Sequence, residues 1–508
     1  MLTLSATASQ QYQYYTSNDA LEDLYEMELA LLTKVGEYIQ EQQNILTLLI
    51  GRYDQAVYTL SNIVSRDMYV SNPINAFSLV RRLTQDWPRT LSLINNELLK
   101  DFSLPKEEDF AGAVRALTRL QDVYDISAET LAQGHLPGTH RTALLTAADC
   151  VSVAQFYRAR MDYTLATDWL LEALDKVYDD KTCSPAVVLE NIFITTCFEG
   201  DHELSSFYLN KLLDQYPSHL PPTSHLKDYN LALSGKCGEI TEARKKIKVK
   251  SIPEMPEEGI DEYNSMCRAH VSSPASHLRC HLVHYHRPHL RLQPFKLEEL
   301  HLDPPVVMFH QVISNEEIKY LQHTAYPLMK PAKVRMSDGN HSVANYRTSH
   351  IAWIDDSDPI SARLSRRVAT LTNLHVSSAE MNQVNNYGLA GEYATHLDAV
   401  EGVNLTQGDP DGNRLATFMI YMSDVIWGGH TVFLDLDLSV RPVKGSALFW
   451  YNLHQDGSVD YRMRHASCPV IVGNKWVLNK WLHEKGQDLN DYPPCKLRRE
   501  DSWSNFYL

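Results

Sequence analysis

The stretch from residue 387 to 481 constrains this chain most. It opens on Tyr387-Gly388 and the string GEYATHLDAV and closes on RHASCPVIVGNKWVLNKW. His396 and Asp398 stand two apart, and in an extended segment side chains at i and i+2 leave the same face, so both can reach one ion. His465 completes a candidate set. Two imidazoles and one carboxylate cover one face of an octahedron and leave three positions open, a donor set suited to non-haem Fe(II). Lys475 follows His465 by ten residues. In one continuous strand that even spacing puts both on one face, and across a tight turn they are still neighbours. An ammonium there suits an acidic co-substrate. His-x-Asp alone is a weak signal, because any solvated turn can carry it. The third donor, the lysine and the apolar flanks give it weight.

Those flanks read as strands. LATFMIYMSDV, SALFWYN and PVIVGNKWVLNKWL alternate or run apolar over strand lengths, and from about 303 onward such runs are separated by Gly, Asp and Asn. An all-β core with leading helices such as SNEEIKYLQHTA is expected, and a double-stranded jelly roll fits. Its mouth is a natural place for a metal.

A chain of 508 residues exceeds one core. The expected fold is multidomain, α plus β: a segment 1–18, a helical region 19–140, paired helices 144–240, a linker 241–302, the β domain 303–490 and a tail 491–508. Residues 19–66 read as one long helix. Tyr25, Leu32, Ile39, Leu46, Tyr53 and Leu60 recur every seven residues, the narrow apolar seam of a coiled coil. That seam either buries against later helices of the same chain or pairs with another copy. After Asn72-Pro73 a second amphipathic helix begins. Between 144 and 235 the placement of Tyr157, Tyr163, Ala166, Trp169 and Ala173 follows a tetratricopeptide-like pattern, and a second helix pair ends at Tyr216-Pro217. In 241–302, KKIKVKSIPEMPEEG changes charge sign and carries two prolines, which marks a boundary. A zinc site from Cys280, His281, His284 and His286 is conceivable, but no standard spacing supports it against a solvated loop.

The formal net charge of −16 argues against a phosphate-binding surface, and no basic stripe is present, so no nucleic acid is expected. No apolar run reaches the length that spans a membrane. MLTLSATAS lacks a basic start, although Ala6-Thr7-Ala8 has the small-x-small form of a cleavage site. Eight cysteines leave their connectivity open. Sequons at Asn340 and Asn404 are compatible with a secretory route. The final residues, SWSNFYL, carry no retention signal.

The strings NNYGLAGEYATHLD, GNRLATFMIYMSDVIWGGHTVF, PVKGSALFWYNL and RHASCPVIVGNKWVLNKWLHEKGQ resemble the catalytic domain of collagen prolyl 4-hydroxylase alpha subunits, which are 2-oxoglutarate-dependent dioxygenases. The likeness extends more loosely over nearly the whole chain. It implies His396, Asp398 and His465 as iron ligands, Lys475 as partner of the distal carboxylate of 2-oxoglutarate, and Tyr387, Thr431 and Trp481 as co-substrate pocket residues. It implies Fe(II), 2-oxoglutarate and ascorbate as cofactors, and hydroxylation of proline C4 in collagen-like X-Pro-Gly sequences with release of succinate and carbon dioxide. It implies protein disulfide isomerase as beta subunit, two alpha and two beta subunits, and the endoplasmic reticulum lumen. Disulfides Cys267–Cys280 and Cys468–Cys495 follow from the same resemblance, as does a tyrosine-lined groove for proline-rich chains in the paired helices. Within LENIFITTCFEGD, where groove tyrosines are expected, the chain has Asn191, Ile194 and Cys197. That departure keeps open the same chemistry on another secreted proline-rich protein. A non-catalytic, repeat-based binding or chaperone subunit is the alternative of a different class.

Overall fold

The computed structural model describes residues 17–63, 65–94, 102–136, 139, 143–180, 182–220, 226–234, 259–268, 277–285, 288–335, 341–342, 346–401 and 410–487. Most of the segment 1–18, the sequons at Asn340 and Asn404, His286, Cys495 and the tail lie outside them. The chain forms two units, one of Met1–Ser65 with Arg82–Pro105 and one of Arg66–Arg81 with Lys106–Leu508.

The first unit holds α1 (Asn18–Ser61) and the short α4 (Trp87–Leu91). The 44 residues of α1 contain no proline, and neither Gly36 nor Gly51 interrupts it. At about 1.5 Å per residue it spans roughly 66 Å. Its seam stays open to solvent: Leu32 is 60% exposed, Ile39 50%, Leu46 56% and Tyr53 62%.

The second unit begins with α2 (Arg66–Val70) and α3 (Pro73–Arg81) and continues through α5 (Glu107–Tyr124), α6 (Ala128–Ala132), α7 (Ala147–Ala159), α8 (Tyr163–Asp180), α9 (Pro185–Glu199), α10 (His202–Gln215) and α11 (Leu226–Leu233). Capping chemistry sets several ends. Thr146 and Asp149 close a capping box on α7. Ser184 caps α9, with Pro185 at its first position and Gly200 in the left-handed conformation at its end. The run VVLENIFITTCF is apolar on all sides, and a helix with no polar face belongs inside. Asn191, Ile194 and Cys197 are accordingly 1%, 0% and 2% exposed. They line no open groove, so the expectation that they replace groove tyrosines is overturned. Cys197 is itself disulfide-bonded.

The segment expected as a linker contributes structure instead. It supplies α12 (Ile260–Arg268) and two strands, β1 (Cys280–Val283) and β2 (Phe295–Leu302). These strands join β3 (Pro305–His310), β4 (Lys330–Pro331), β7 (Ser349–Ile354), β8 (Asn382–Tyr387), β10 (Arg414–Tyr421), β14 (Ala447–Tyr451) and β17 (Lys475–His483) in one antiparallel sheet of order β1-β2-β3-β14-β10-β17-β8-β7-β4. Opposite it, β9 (Tyr393–His396), β12 (Thr431–Phe433), β13 (Leu438–Val440) and β15 (His465–Ser467) form a sheet of order β13-β12-β15-β9. Two smaller ladders pair β11 (Val425–Gly428) with β16 (Val470–Gly473) and β5 (Val334–Arg335) with β6 (His341–Ser342).

Period-two alternation partitions the central strands between two cores. From β10, Ala416, Phe418 and Ile420 face a core shared with α13 (Asn315–Ala325) and α14 (Pro359–Thr372), while Met419 and Tyr421 face the opposing sheet and meet Phe433 and Val440. Phe418 sits fully buried between the rings of Phe309 and Phe449, at 6.0 and 6.2 Å. Such a burial contributes about 1.5–3 kcal/mol. A third cluster joins Val123 of α5 and Tyr263 and Met266 of α12 to Val432 and Ala466 on the four-stranded sheet.

That last contact decides the disulfide. Cys267 on α12 is bonded to Cys468, not to Cys280, and Cys280 is an exposed free thiol on the edge strand β1. Both pairings implied by resemblance are corrected: α12 lies against the end of β15, which brings Cys468 to Cys267 across 201 residues of chain. Non-reducing digestion followed by mass spectrometry is expected to yield a peptide pair linked through Cys267 and Cys468, with Cys280 alkylated without prior reduction.

Candidate active site

The two candidate histidines meet through strand register. On β15 and β9, His465 and His396 are direct cross-strand partners, with ring centroids 4.4 Å apart. Asp398 follows two residues beyond His396 and is 6% exposed. His396 Nε2 lies 3.8 Å from Asp398 Oδ1 and His465 Nε2 lies 3.7 Å from Oδ2. The three donor atoms all fall within 4.8 Å of one another, and among the described residues no other group of His, Cys, Asp and Glu converges in this way. The zinc expectation at Cys280 finds no support there: His281 instead pairs with Glu299 at 2.9 Å.

Each ring is oriented by its own backbone. His396 Nδ1 lies 2.8 Å from Ala394 O and His465 Nδ1 lies 3.0 Å from Met463 O. A protonated Nδ1 donating to a carbonyl leaves Nε2 as the lone-pair donor, the tautomer a metal needs. Burial, followed by the neighbouring His465, depresses the His396 pKa, so its imidazole is neutral. Burial by itself would raise the Asp398 carboxyl, but His465, Arg414 and the hydrogen bond from Thr417 hold it below the usual carboxylate range. A neutral His396 imidazole beside an ionised carboxylate fits a divalent ion.

A chain of donors fixes the carboxylate. Thr417 Oγ1 donates to Asp398 Oδ2 at 2.7 Å, Asn452 Nδ2 donates to Thr417 Oγ1 at 2.9 Å, and Trp450 Nε1 donates to Asn452 Oδ1 at 2.9 Å. Arg414 donates to Asp398 O at 3.3 Å while its guanidinium is forked onto Glu380 and stacked 3.9 Å from the Trp481 ring. Sequence reasoning did not single out Thr417, Asn452 or Arg414. The available signal was a polar Thr417 on the inward face of the otherwise apolar LATFMIY.

Lys475 begins β17 and so stands in the other sheet from His465, rather than on one continuous strand with it. Its ammonium is buried, and donates to Gly429 O at 2.7 Å and Ser467 Oγ at 2.6 Å. An ammonium has three donors, so one is left without a partner among the described residues. Among the described residues no carboxylate balances it, and burial alone lowers its pKa to about 7. An unpaired buried cation is costly unless an anion completes it. By contrast, the equally buried Lys480 has Asp356 at 3.4 Å.

Tyr387 is opposite Lys475 in register, and its ring centroid lies 5.1 Å from Nζ. Thr431 accepts a hydrogen bond from the Tyr421 hydroxyl at 2.8 Å and pairs with Ser467 across the β12–β15 ladder. Trp481 shares a face of β17 with Lys475 and Asn479 but stands at the far end, beside Arg414 and Trp353. Trp481 Nε1 and Asn479 Oδ1 are buried polar atoms without a partner among the described residues, as expected of a cavity wall awaiting a polar ligand. The turn that delivers Gly429 O to Lys475 requires glycine. Gly428 and Gly429 have φ of +76° and +68°, and a Cβ on Gly428 would come within 2.6 Å of Pro469 O.

A His-Asp-His set on the four-stranded sheet, with a buried lysine on the neighbouring nine-stranded sheet, is the donor set that an Fe(II)/2-oxoglutarate oxygenase needs. Residues 382–483 match the 2OG-Fe(II) oxygenase superfamily, and residues 17–138 match the prolyl 4-hydroxylase alpha-subunit N-terminal region. Over 528 residues the chain is 34% identical to prolyl 4-hydroxylase subunit alpha-1 of Rattus norvegicus, covering 95% of this chain and 96% of that one. Over 512 residues it is 34% identical to prolyl 4-hydroxylase subunit alpha-2 of Gallus gallus, with 95% of each covered. The chain belongs to the prolyl 4-hydroxylase alpha-subunit family. A crystal structure of a viral collagen prolyl hydroxylase from Paramecium bursaria chlorella virus-1 in complex with 2OG aligns at 21% identity with a TM-score of 0.29, covering 35% of this chain and 95% of that one. Fe(II) and 2-oxoglutarate are the cofactors of the class, and ascorbate is typical of the family.

Lys475→Ala is expected to raise the KM for 2-oxoglutarate steeply, since a charge-assisted bond contributes ~1.5 to 3 kcal/mol, or roughly 10- to 150-fold. Lys475→Arg should recover part of this, keeping charge but not geometry. With Lys475 as the partner of the distal carboxylate that the resemblance implies, its protonated form is the one that binds. The KM should therefore rise with pH above about 7, the value to which burial lowers this lysine, and should be flat below it. Initial rates against co-substrate concentration across pH 6 to 9 check both expectations, and an unchanged KM in Lys475→Ala removes the assignment.

Proposed function

We propose that this chain is the catalytic subunit of a procollagen-proline 4-dioxygenase, hydroxylating peptidyl proline at C4 in collagen-like X-Pro-Gly sequences. The observation that carries the reading is the convergence of His396, Asp398 and His465 opposite the uncompensated Lys475, in a chain of this family. In that reading the triad holds the iron, Lys475 pairs with the C5 carboxylate of 2-oxoglutarate, and Tyr387 and Thr431 wall the co-substrate. Trp481, which the resemblance places in the same co-substrate pocket, stands beside Arg414 at the far end of β17. Bound Fe(II) supplies activation of dioxygen, with 2-oxoglutarate converted to succinate and carbon dioxide as one oxygen atom goes to proline C4. The chain's own contribution is geometric. Thr417 and Arg414 fix the carboxylate, the backbone carbonyls of Ala394 and Met463 fix the rings, and the apolar walls Phe433, Trp450 and Val477 keep water from the reacting atoms.

The two facing sheets support a jelly-roll description, and the α7–α8 and α9–α10 pairs support tetratricopeptide-like repeats that present proline-rich chains to the enzyme. A polyproline II ligand loses little entropy on docking to such a surface. Because Asn191, Ile194 and Cys197 are interior, they do not argue for a non-collagen substrate. The exposed α1 seam supports pairing of two alpha subunits, and the family supports a disulfide isomerase as beta subunit in an endoplasmic reticulum lumen. The Cys267–Cys468 bond suits that oxidising compartment.

Incubation with Fe(II), 2-oxoglutarate, oxygen and (Pro-Pro-Gly) peptides is expected to give succinate and 4-hydroxyproline in equal amounts, read by amino-acid analysis. His396→Ala, Asp398→Ala and His465→Ala should each abolish both. Succinate without hydroxyproline on any proline peptide would point to a different substrate. For assembly, Ile39→Glu with Leu46→Glu should halve the number of alpha subunits per particle in native mass measurements while leaving turnover of short peptides intact. An unchanged mass removes the seam from the interface.

A further inference from the structure

Two helices grip the histidine-bearing strands from outside the cavity. Glu392 immediately precedes β9, four residues before His396, and is 6% exposed. One carboxylate oxygen takes Arg119 Nε of α5 at 2.5 Å, and the other takes the Tyr263 hydroxyl of α12 at 3.0 Å. The same guanidinium donates to Ala390 O at 3.0 Å. Thr348 holds the Glu392 backbone, its Oγ1 accepting from Glu392 N at 2.8 Å and its N–H donating to Glu392 O at 2.9 Å. On the other ligand strand, Cys468, three residues beyond His465, is bonded to Cys267 of α12, and Pro469 O accepts from the Tyr124 hydroxyl of α5 at 2.6 Å. The two helices are tied together by Arg268, which donates to Val123 O at 2.6 Å and Asp122 O at 2.9 Å. Each helix therefore holds both the β9 and the β15 side of the site.

None of these groups reaches a metal-ligand atom, but they fix where the two ligand strands sit relative to each other. The His396–His465 pairing is the edge of the donor set, so a small shift of β9 against β15 spreads the two Nε2 atoms. For mere adhesion of helix to sheet an apolar contact would serve as well, because a buried ion pair gains little over well-packed hydrophobic residues. What the forked, fully partnered carboxylate adds is geometry. The other face of α5 bonds to the paired helices: the Tyr157 hydroxyl donates to Asp122 Oδ1 at 2.9 Å, and Trp169 Nε1 donates to Gln121 Oε1 at 2.7 Å. A single helix thus spans from the repeat layer to the strand that carries His396.

We propose that Glu392, with Arg119 and Tyr263, is a positioning cluster for the iron site, setting the separation of His396 and His465 from the helical layer. This rests on the reading of the His396, Asp398 and His465 set as the iron ligands. The cluster acts through β9, so its loss is felt in iron affinity rather than in the binding of 2-oxoglutarate by Lys475 from the other sheet.

The test uses the full-length chain in its assembled form. Fe(II) affinity is measured anaerobically through the absorption that appears when 2-oxoglutarate chelates the bound ion, with thermal unfolding recorded on the same samples. Glu392→Gln and Tyr263→Phe are expected to weaken Fe(II) binding by about tenfold, the lower range for groups that orient metal ligands. The KM for 2-oxoglutarate at saturating iron should stay unchanged, and Arg119→Lys should fall between these variants and the wild type. Arg367→Met is the structural control. It breaks the fork from Arg367 to Glu317 between α14 and α13, away from β9 and β15, and should lower the melting temperature without changing iron affinity. Wild-type iron affinity in both Glu392→Gln and Tyr263→Phe overturns the proposal while leaving the active-site reading standing. If Glu392→Gln does not fold, Tyr263→Phe, which removes one hydroxyl, decides alone. A wild-type chain that binds no Fe(II) overturns the triad itself, and the proposal with it.

Discussion

The structure of the site depends on one register: His465 lies directly across from His396 on neighbouring antiparallel strands. Because side chains alternate along a strand, slipping this pair by one residue would turn one ring to the outside and leave a single histidine in the cavity. The ladder continues through Phe433 opposite His465 and Thr431 opposite Ser467, so β12 locks the register from the other edge. The Gly428-Gly429 turn then closes the loop before β12 tightly enough for Gly429 O to reach Lys475.

Around that register the chemistry divides between two sheets. The four-stranded sheet carries both histidines, and the nine-stranded sheet carries Lys475, Tyr387, Thr417 and Asn479. The separation matters physically. A cation placed among the metal ligands would oppose a divalent ion, whereas across the cavity Lys475 can meet the far end of a five-carbon diacid whose near end reaches the metal. The lysine remains buried with two hydrogen bonds and no countercharge among the described residues, a state that an incoming carboxylate relieves.

The helical layer is a structural part of this site as well as a neighbour to it. Arg119, Tyr124, Tyr263 and Cys267 all approach the strands that carry His396 and His465 from α5 and α12, elements that precede those strands by more than a hundred residues of chain. That is why the segment read as a linker proves to hold α12 and two strands of the large sheet. Its proline and charge pattern did mark a change of architecture, but the regular elements after it are short, and their burial comes from partners far away in sequence.

What the sequence determined by itself was whatever depends on local pattern. Examples are the long heptad helix α1, the helix pairs with their Ser, Thr and Gly caps, the capping box of Ser314 and Glu317, and the strands around His396, His465 and Lys475. The His396, Asp398 and His465 set was legible because its residue types are rare in combination and its flanks resemble a known family. Tertiary structure alone decided the partners of single residues. Cys267 joins Cys468 rather than Cys280 because α12 packs beside β15, and Asn191, Ile194 and Cys197 lie inside because α9 is surrounded by other helices. Thr417, Arg414 and Glu392 likewise gain their roles only when strands and helices distant in sequence are brought together. Periodicity tells which face of an element is apolar, but which other element covers that face is set by long-range packing that no local spacing encodes.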